Sequence, residues 1–427
     1  MIMGIPFFLL FAVYGVVNVY LPLLLSGLGY SATMIGILQG IFEASGLLFP
    51  ILISARVDKR GSYGSVMVAL GLLMVAVLPL LAISRSFIIT ALMLALFAIG
   101  YKGIVPVADA LSSRKLGPDS SDYGKVRVMG SIGFVCITLL LQIVPLVDSS
   151  SPVSIALWIG IPSVAFTLSV LLVPGLLQRF PPDHEPDVIS PSAPVTAVAG
   201  STLSADAPAN GPADSTGSFS AARSPHRGLR KLREFPASFW GGIALIFLGF
   251  LGLTPSQRFF SLYVQEYLKL DSYAGLWALS AAAEVPFMFL SGYFIRKMGT
   301  QKILVLSLLA ILTRNLVYAV FPNFAGAVAG QLFHSVCYGL FHPAAVVFAC
   351  ERAPKRLMAV ALTLYSSVSV GVASVIGNIL GGFVIDTLGY RPLFLVFCMF
   401  PFIGLVAFSI FRNIFAVRSI DTPFTGK

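Results

Sequence analysis

Three observations predict an all-α membrane protein with twelve transmembrane helices in two six-helix halves related by a parallel repeat. Of the 427 residues, 57% are hydrophobic and only 11% are charged, where soluble domains carry about 25% charged residues. Twelve apolar runs are each long enough for the ~20 residues that a bilayer crossing needs. Short stretches of the first six runs recur in the last six at a constant offset.

The runs span 4–27, 32–55, 64–83, 87–112, 126–146, 153–176, 238–264, 272–295, 302–321, 324–349, 357–385 and 390–412. The first begins almost at Met1, has no basic flank and is too long for a signal core, so it reads as a span that is kept. The second ends in "RVDKRG". The fourth carries Lys102 and Asp109, and the fifth opens on "KVR". The seventh carries Arg258, the eighth Glu284, the ninth Arg314, and the tenth His334 and His342. The halves are expected at 1–177 and 236–413, with a tail at 414–427. Between them, 178–235 is dominated by Pro, Ala, Ser and Gly, too poor in large apolar residues to offset its ordering entropy; it reads as a disordered cytoplasmic linker with a basic end.

Lys and Arg set the orientation. Of 28, the linker, the C-terminus and the loops on their side hold 22, the opposite side holds three (Arg85, Lys269, Arg391), and three (Lys102, Arg258, Arg314) lie within spans. Both termini and the linker are thus expected in the cytoplasm of a cell-membrane protein. The +10 net charge needs no nucleic-acid partner. The four cysteines sit in or near apolar runs without metal-type spacing and read as buried thiols without a disulfide. No metal cluster, phosphate loop or nucleophile elbow appears, so neither a cofactor nor an enzyme activity is expected.

In the repeat, "YKGIVPVA" (101–108) matches "YGLFHPAA" (338–345) at an offset of 237, and Gly61 of "RVDKRG" matches Gly299 of "IRKMG" at 238. Two such halves place a solute cleft between them near the bilayer midplane.

Charges at that depth cost several kcal/mol, about +2.5 to +3.5 at a helix centre on insertion scales. Arg314 precedes His334 by twenty residues across a turn at Pro322 and Asn323. At about 1.5 Å per residue they lie ~12 and ~18 Å from that turn, an offset of ~6 Å that an arginine spans. Asp109 precedes Arg127 by eighteen residues, and Lys102 lies seven before Asp109 on nearly the same helical face. Lys102 either neutralises Asp109 or attracts an anion. Glu43 lines the cleft or pairs with a cation, and Arg258 faces the cleft or snorkels outward; the sequence does not separate these. His342 reads as structural. Tyr14 and Asn18, four apart, offer an aromatic and polar face to a ring or bond neighbouring helices.

The buried arginines stay protonated and must be paired. Burial favours a protonated carboxyl, and a nearby cation favours the carboxylate. An arginine moving in and out of contact therefore switches an acid between holding and releasing a proton. Glu284, with Arg314 and His334, is the candidate coupling group. Lys102, Arg127, Arg258 and Arg314 against Glu43, Asp109 and Glu284 leave an excess of +1, which one negative charge on a solute would balance.

"ARVDKRGS" resembles the D-R/K-x-G loop of the major facilitator superfamily, and "GYFIRKMGTQK" is its counterpart without the Asp. The resemblance makes Asp58, Arg60, Arg296 and Lys297 gating-loop candidates. "PVADAL", "DYGKVRVMGSIGF", "LWALSAAAEV" and "LFHSVCYGLFHPAA" resemble the phenylpropionate-transporter type of permease, related to the lactose permease and the nucleoside–proton symporters. The resemblance covers nearly all twelve spans outside the linker. It implies substrate contacts at Asp109 and Arg127, and proton coupling with substrate recognition at Arg314 and His334. Two positions depart from the lactose permease. Cys337 stands where that permease has a proton-transferring glutamate, and its span-eight glutamate lies about one turn from Glu284.

These readings predict a permease that imports a small organic solute with a proton by alternating access, an aromatic or other monocarboxylate being the best match. Its partners would be the solute, the proton and the lipid bilayer, with the chain a monomer. The fifth span lacks the Gly- and Pro-rich pattern of exporters. The alternatives are a sugar or nucleoside symporter, an exporter, or a non-transporting membrane sensor.

Overall fold

The computed structural model describes residues 3–116, 120–180 and 232–411. The bulk of the expected linker (181–231) and the expected tail lie outside the described residues, as does the side chain of Asp58.

Among the described residues there are twelve helices long and apolar enough to cross a membrane. They are α1 (Gly4–Gly27), α2 (Ala32–Arg60), α3 (Tyr63–Ile83), α4 (Phe87–Leu116), α5 (Ser120–Ile143), α6 (Pro152–Leu172), α7 (Ala237–Tyr267), α8 (Tyr273–Met298), α9 (Thr300–Val320), α10 (Phe324–Glu351), α11 (Lys355–Leu388) and α12 (Tyr390–Ile410). A backbone in lipid must satisfy its own hydrogen bonds, which is why apolar runs of this length become helices. Side chains cap several starts: Ser31 Oγ accepts from Met34 N in front of α2, Ser151 Oγ from Ser154 N in front of α6, and Asn323 Oδ1 from Gly326 N in front of α10.

The helix α2 runs to Arg60, past the expected end at 55, so Asp58 and Arg60 belong to its last turn and not to a loop. Gly61, at φ +63°, closes it in the left-handed region. Phe180 crosses directly over Gly61, and its N–H donates to Gly61 O at 2.9 Å. A β-carbon at Gly61 would lie 1.6 Å from Phe180 O, so glycine is required there. Phe180 is also packed edge-on against Tyr63.

Four wide turns of π-helical geometry interrupt the second half, at Pro255–Phe259, Tyr263–Tyr267, Ser335–Leu340 and Tyr365–Val372. The described residues of the first half have none. Such turns re-aim side chains within a continuous helix. Pro255 opens the first of them, where its missing N–H and its ring disrupt the regular ladder.

Within the first half α1 packs on α5 and α6, and α3 on α4 and α6. Within the second, α7 and α9 pack on α12, and α8 on α10. The halves meet along α2–α11, α5–α8 and α1–α7. At α2–α11 the backbones nearly touch: a β-carbon on Gly36 would lie 2.3 Å from Asn378 O, and one on Gly382 would lie 2.1 Å from Ala32 O.

The end of the bundle opposite residues 3 and 411 is tied shut across both seams. Asp386, near the end of α11, accepts from Ala32 N at 3.0 Å and Thr33 N at 2.8 Å, capping α2 from the other half. On the second seam Gln142 Oε1 accepts from Gly275 N at 2.8 Å. Ser26 Oγ donates to Glu266 at 2.7 Å, and Gln265 Nε2 donates to Ser149 Oγ at 2.7 Å.

Candidate functional site

Three groups of charged side chains lie at membrane depth. The first is built by α8, α9 and α10. Arg314, 1% exposed, donates from Nε to Tyr318 Oη at 3.2 Å, from Nη2 to Gln331 Oε1 at 2.8 Å and from Nη1 to His334 Nδ1 at 3.0 Å. A guanidinium cannot accept, so His334 Nδ1 must be the acceptor and the neutral ring carries its proton on Nε2. That nitrogen lies 3.1 Å from Glu284 Oε2. Glu284 is 1% exposed, and neither of its oxygens has a well-directed hydrogen bond among the described residues. The sequence pairs Arg314 with His334 and Glu284; the structure inserts the imidazole between the other two. Gln331 and Tyr318 were missed as partners. Both were legible, since Gln331 is three residues before His334 and Tyr318 four after Arg314, on shared helix faces.

The second group is Asp109 on α4 and Arg127 on α5, with Nη1 to Oδ1 at 3.2 Å. The guanidinium also lies over Phe11 at 5.3 Å and Phe7 at 5.8 Å, both on α1. The Asp109 side chain is 17% exposed, the most open of the buried acids.

The third group bears on two positions that the sequence left open. Lys102 does not neutralise Asp109; its Nζ sits on Glu43 Oε2 of α2. Seven residues share a face but stand two turns, about 10 Å, apart along the helix, whereas α2 packs directly beside α4. Arg258 does not snorkel to the surface. From the first wide turn of α7 it reaches across the seam and places Nη2 at 2.6 Å from Glu43 Oε1. Glu43 is thus the hub of a cation–carboxylate–cation group, a role with no sequence signal because its partners come from two other helices.

Tyr14 and Asn18 are engaged between helices. Tyr14 Oη donates to Tyr101 O at 3.1 Å and the two rings stack at 4.0 Å, while Tyr101 Oη donates to Asn18 Oδ1 at 3.5 Å. His342 Nδ1 lies 2.6 Å from Tyr365 Oη, and its ring stacks on Tyr338, which in turn stacks on His334. Cys337, at the position of the lactose permease's glutamate, is fully buried. At the end bearing residues 3 and 411, Arg60 and Arg296 are exposed, and Lys297 lies over the ring of Tyr293.

Comparison with known proteins adds to this geometry. Residues 1–396 match the MFS_1 like family. The maltose permease of Geobacillus stearothermophilus is 24% identical over 328 residues, covering 76% of this chain and 72% of that protein. The probable 3-phenylpropionic acid transporter of Escherichia coli (strain K12) is 24% identical over 392 residues, covering 91% and 92%. A putative nucleoside transporter of the same strain is 24% identical over 388 residues, covering 88% and 81%. Among solved structures, the nucleoside transporter NupG superimposes with a TM-score of 0.73 at 16% identity, covering 98% of this chain and 99% of that one. That likeness speaks for the fold alone.

Proposed function

Starting from a chain that belongs to the MFS_1 like family and is a multi-pass membrane transporter of the major facilitator type, not an enzyme, we propose that it imports a small organic monocarboxylate together with a proton. The observation that carries this reading is the Arg314–His334–Glu284 chain. It places a fixed cation, a proton-bearing imidazole and a donor-poor carboxyl in series inside one half. Glu284 takes and releases the proton, Arg314 holds the imidazole in one tautomer, and His334 passes the effect of one to the other. Asp109 and Arg127, whose acid is the most open of those at membrane depth, contact the solute beside the aromatic rings of Phe7 and Phe11.

The positive-inside distribution supports cytoplasmic termini. The tied end of the bundle is then the outer one. The exposed Arg60, Arg296 and Lys297 form part of an inner gate that closes when the outer end opens. The chain works as a monomer.

The test is addition of 3-phenylpropionate, maltose or uridine to lightly buffered proteoliposomes. A matching acid should alkalinise the medium as it enters with a proton. Alkalinisation by maltose or uridine alone would favour the second reading, a sugar or nucleoside symporter, for which the similarity to the maltose permease and the nucleoside transporters speaks. Transport of any of them without a pH change would remove the proton, and transport of none would favour the sensor.

A further inference from the structure

The Glu43 group is one anion short. Lys102 and Arg258 both lean on a single carboxylate, so the group carries a net +1 at a depth where uncompensated charge is costly. Its geometry is also incomplete. Arg258 Nη2 and Glu43 Oε1 stand 2.6 Å apart, yet neither atom has a well-directed hydrogen bond among the described residues. A second buried donor without an acceptor among the described residues, Asn18 Nδ2, belongs to the side chain that Tyr101 bonds, one residue before Lys102. Rings line this region: Phe42 lies 5.0 Å from Lys102 Nζ, Tyr101 lies 5.5 Å from Phe42, and Tyr14 stacks on Tyr101.

The ion contact with Arg258 crosses the seam between the halves, while the bond to Lys102 does not. Glu43 lies eleven residues below the outer start of α2, and Arg258 nine above the outer end of α7 in sequence. At about 1.5 Å per residue both sit roughly 14–17 Å inside the tied end. A rocking motion that opens that end draws Arg258 away from Glu43 and leaves Lys102 with it.

We propose that Glu43 stands in for a solute carboxylate, and that Arg258, once drawn off Glu43, receives the carboxylate of a small monoanion whose apolar body lies on the Phe42–Tyr101–Tyr14 rings. The inference rests on the monocarboxylate reading above and adds which cation takes the anion and what occupies it in the sealed state. The charge count then closes. In the loaded state Lys102 keeps Glu43 and Arg258 keeps the solute, each cation with its own anion. In the unloaded sealed state the two cations share one. Net +1 fits a single negative charge and disfavours a dianion.

The experiment measures binding of 3-phenylpropionate to the full chain in lipid nanodiscs, with the neutral 3-phenylpropionamide as control. The Glu43→Gln/Lys102→Gln double variant removes the resident competitor while keeping the net +1. It should bind the acid more than about tenfold tighter than the wild type, with amide binding unchanged. Arg258→Gln should abolish the preference for acid over amide, and Arg258→Lys should restore part of it. Where the double variant does not fold, Glu43→Asp, with its shorter reach, should tighten acid binding by a smaller factor. Acid binding that is indifferent to Arg258→Gln, or unchanged in both Glu43 variants, overturns the inference while leaving the monocarboxylate reading intact. Absence of acid binding in every protein, with maltose or uridine bound instead, overturns both.

Discussion

In the C-terminal half, Arg314, His334 and Glu284 draw on α8, α9 and α10 alone, and their contacts stay inside one half. In the Glu43 group, one contact stays within the N-terminal half and the other crosses to α7. On the function proposed above, rocking of the halves would preserve the first group and stretch the second, so the first would respond to a proton and the second to motion. The backbones differ in the same sense. The wide turn that aims Arg258, the one that follows His334 and the one that begins at Tyr365, the partner of His342, all belong to the second half. The first half presents its charges from regular helices.

The comparison can be broken at its strongest point by Arg314→Met. This change leaves Tyr318, Gln331 and His334 without their donor. By the measure of buried ion pairs it should cost about 3–5 kcal/mol, read as a fall in thermal stability of the purified protein along with loss of uptake. Retained stability would mean that the arginine does not organise the group. Glu284→Gln should end accumulation driven by a proton gradient yet spare solute exchange, because exchange needs no net deprotonation. Equal loss of both would remove the proton from this carboxyl. Arg127→Gln should raise the half-saturation concentration about 10- to 100-fold, the weight of one or two charge-assisted hydrogen bonds. An unchanged value would make the Asp109 pair structural.

The smallest expected effects sharpen the contrast at the tied end of the bundle. Asp386→Ala removes a charged cap from α2 and should cost that seam about 1 kcal/mol, roughly a fivefold gain in the open population. Gln142→Ala removes a neutral cap from the other seam and should do less. Both are read as the labelling rate of a cysteine placed at Tyr20, which is buried against Tyr273 at this end. A larger effect from Gln142 would show that α5–α8, and not α2–α11, bears the seal.

The fold was legible because the bilayer fixes one length and one composition for every span. Boundaries were less so. The helix α2 overran its apolar run because Gly61, not the hydrophobic edge, ends it. Within the sites, partners separated by one hairpin were legible: Asp109 with Arg127, and Arg314 with His334. Partners held by packing between distant helices were not. Glu43 with Arg258 spans 215 residues and Asp386 with Ala32 spans 354, and no periodicity relates them.

What the sequence determined by itself is the number of spans, their grouping into two related halves, the side on which positive charge collects and the list of ionised residues within the membrane. The spans follow from the cost of exposing polar groups to hydrocarbon, which is local to a span, while the repeat and the bias of positive charge are written directly in the order of the residues. What only the tertiary structure decided is which acid each cation meets. That Lys102 turns to Glu43, that Arg258 crosses the seam and that an imidazole stands between Arg314 and Glu284 depend on which helix faces lie together. Helix neighbours are chosen by close packing of small residues such as Gly36 and Gly382, a three-dimensional fit that spacing along one chain does not encode.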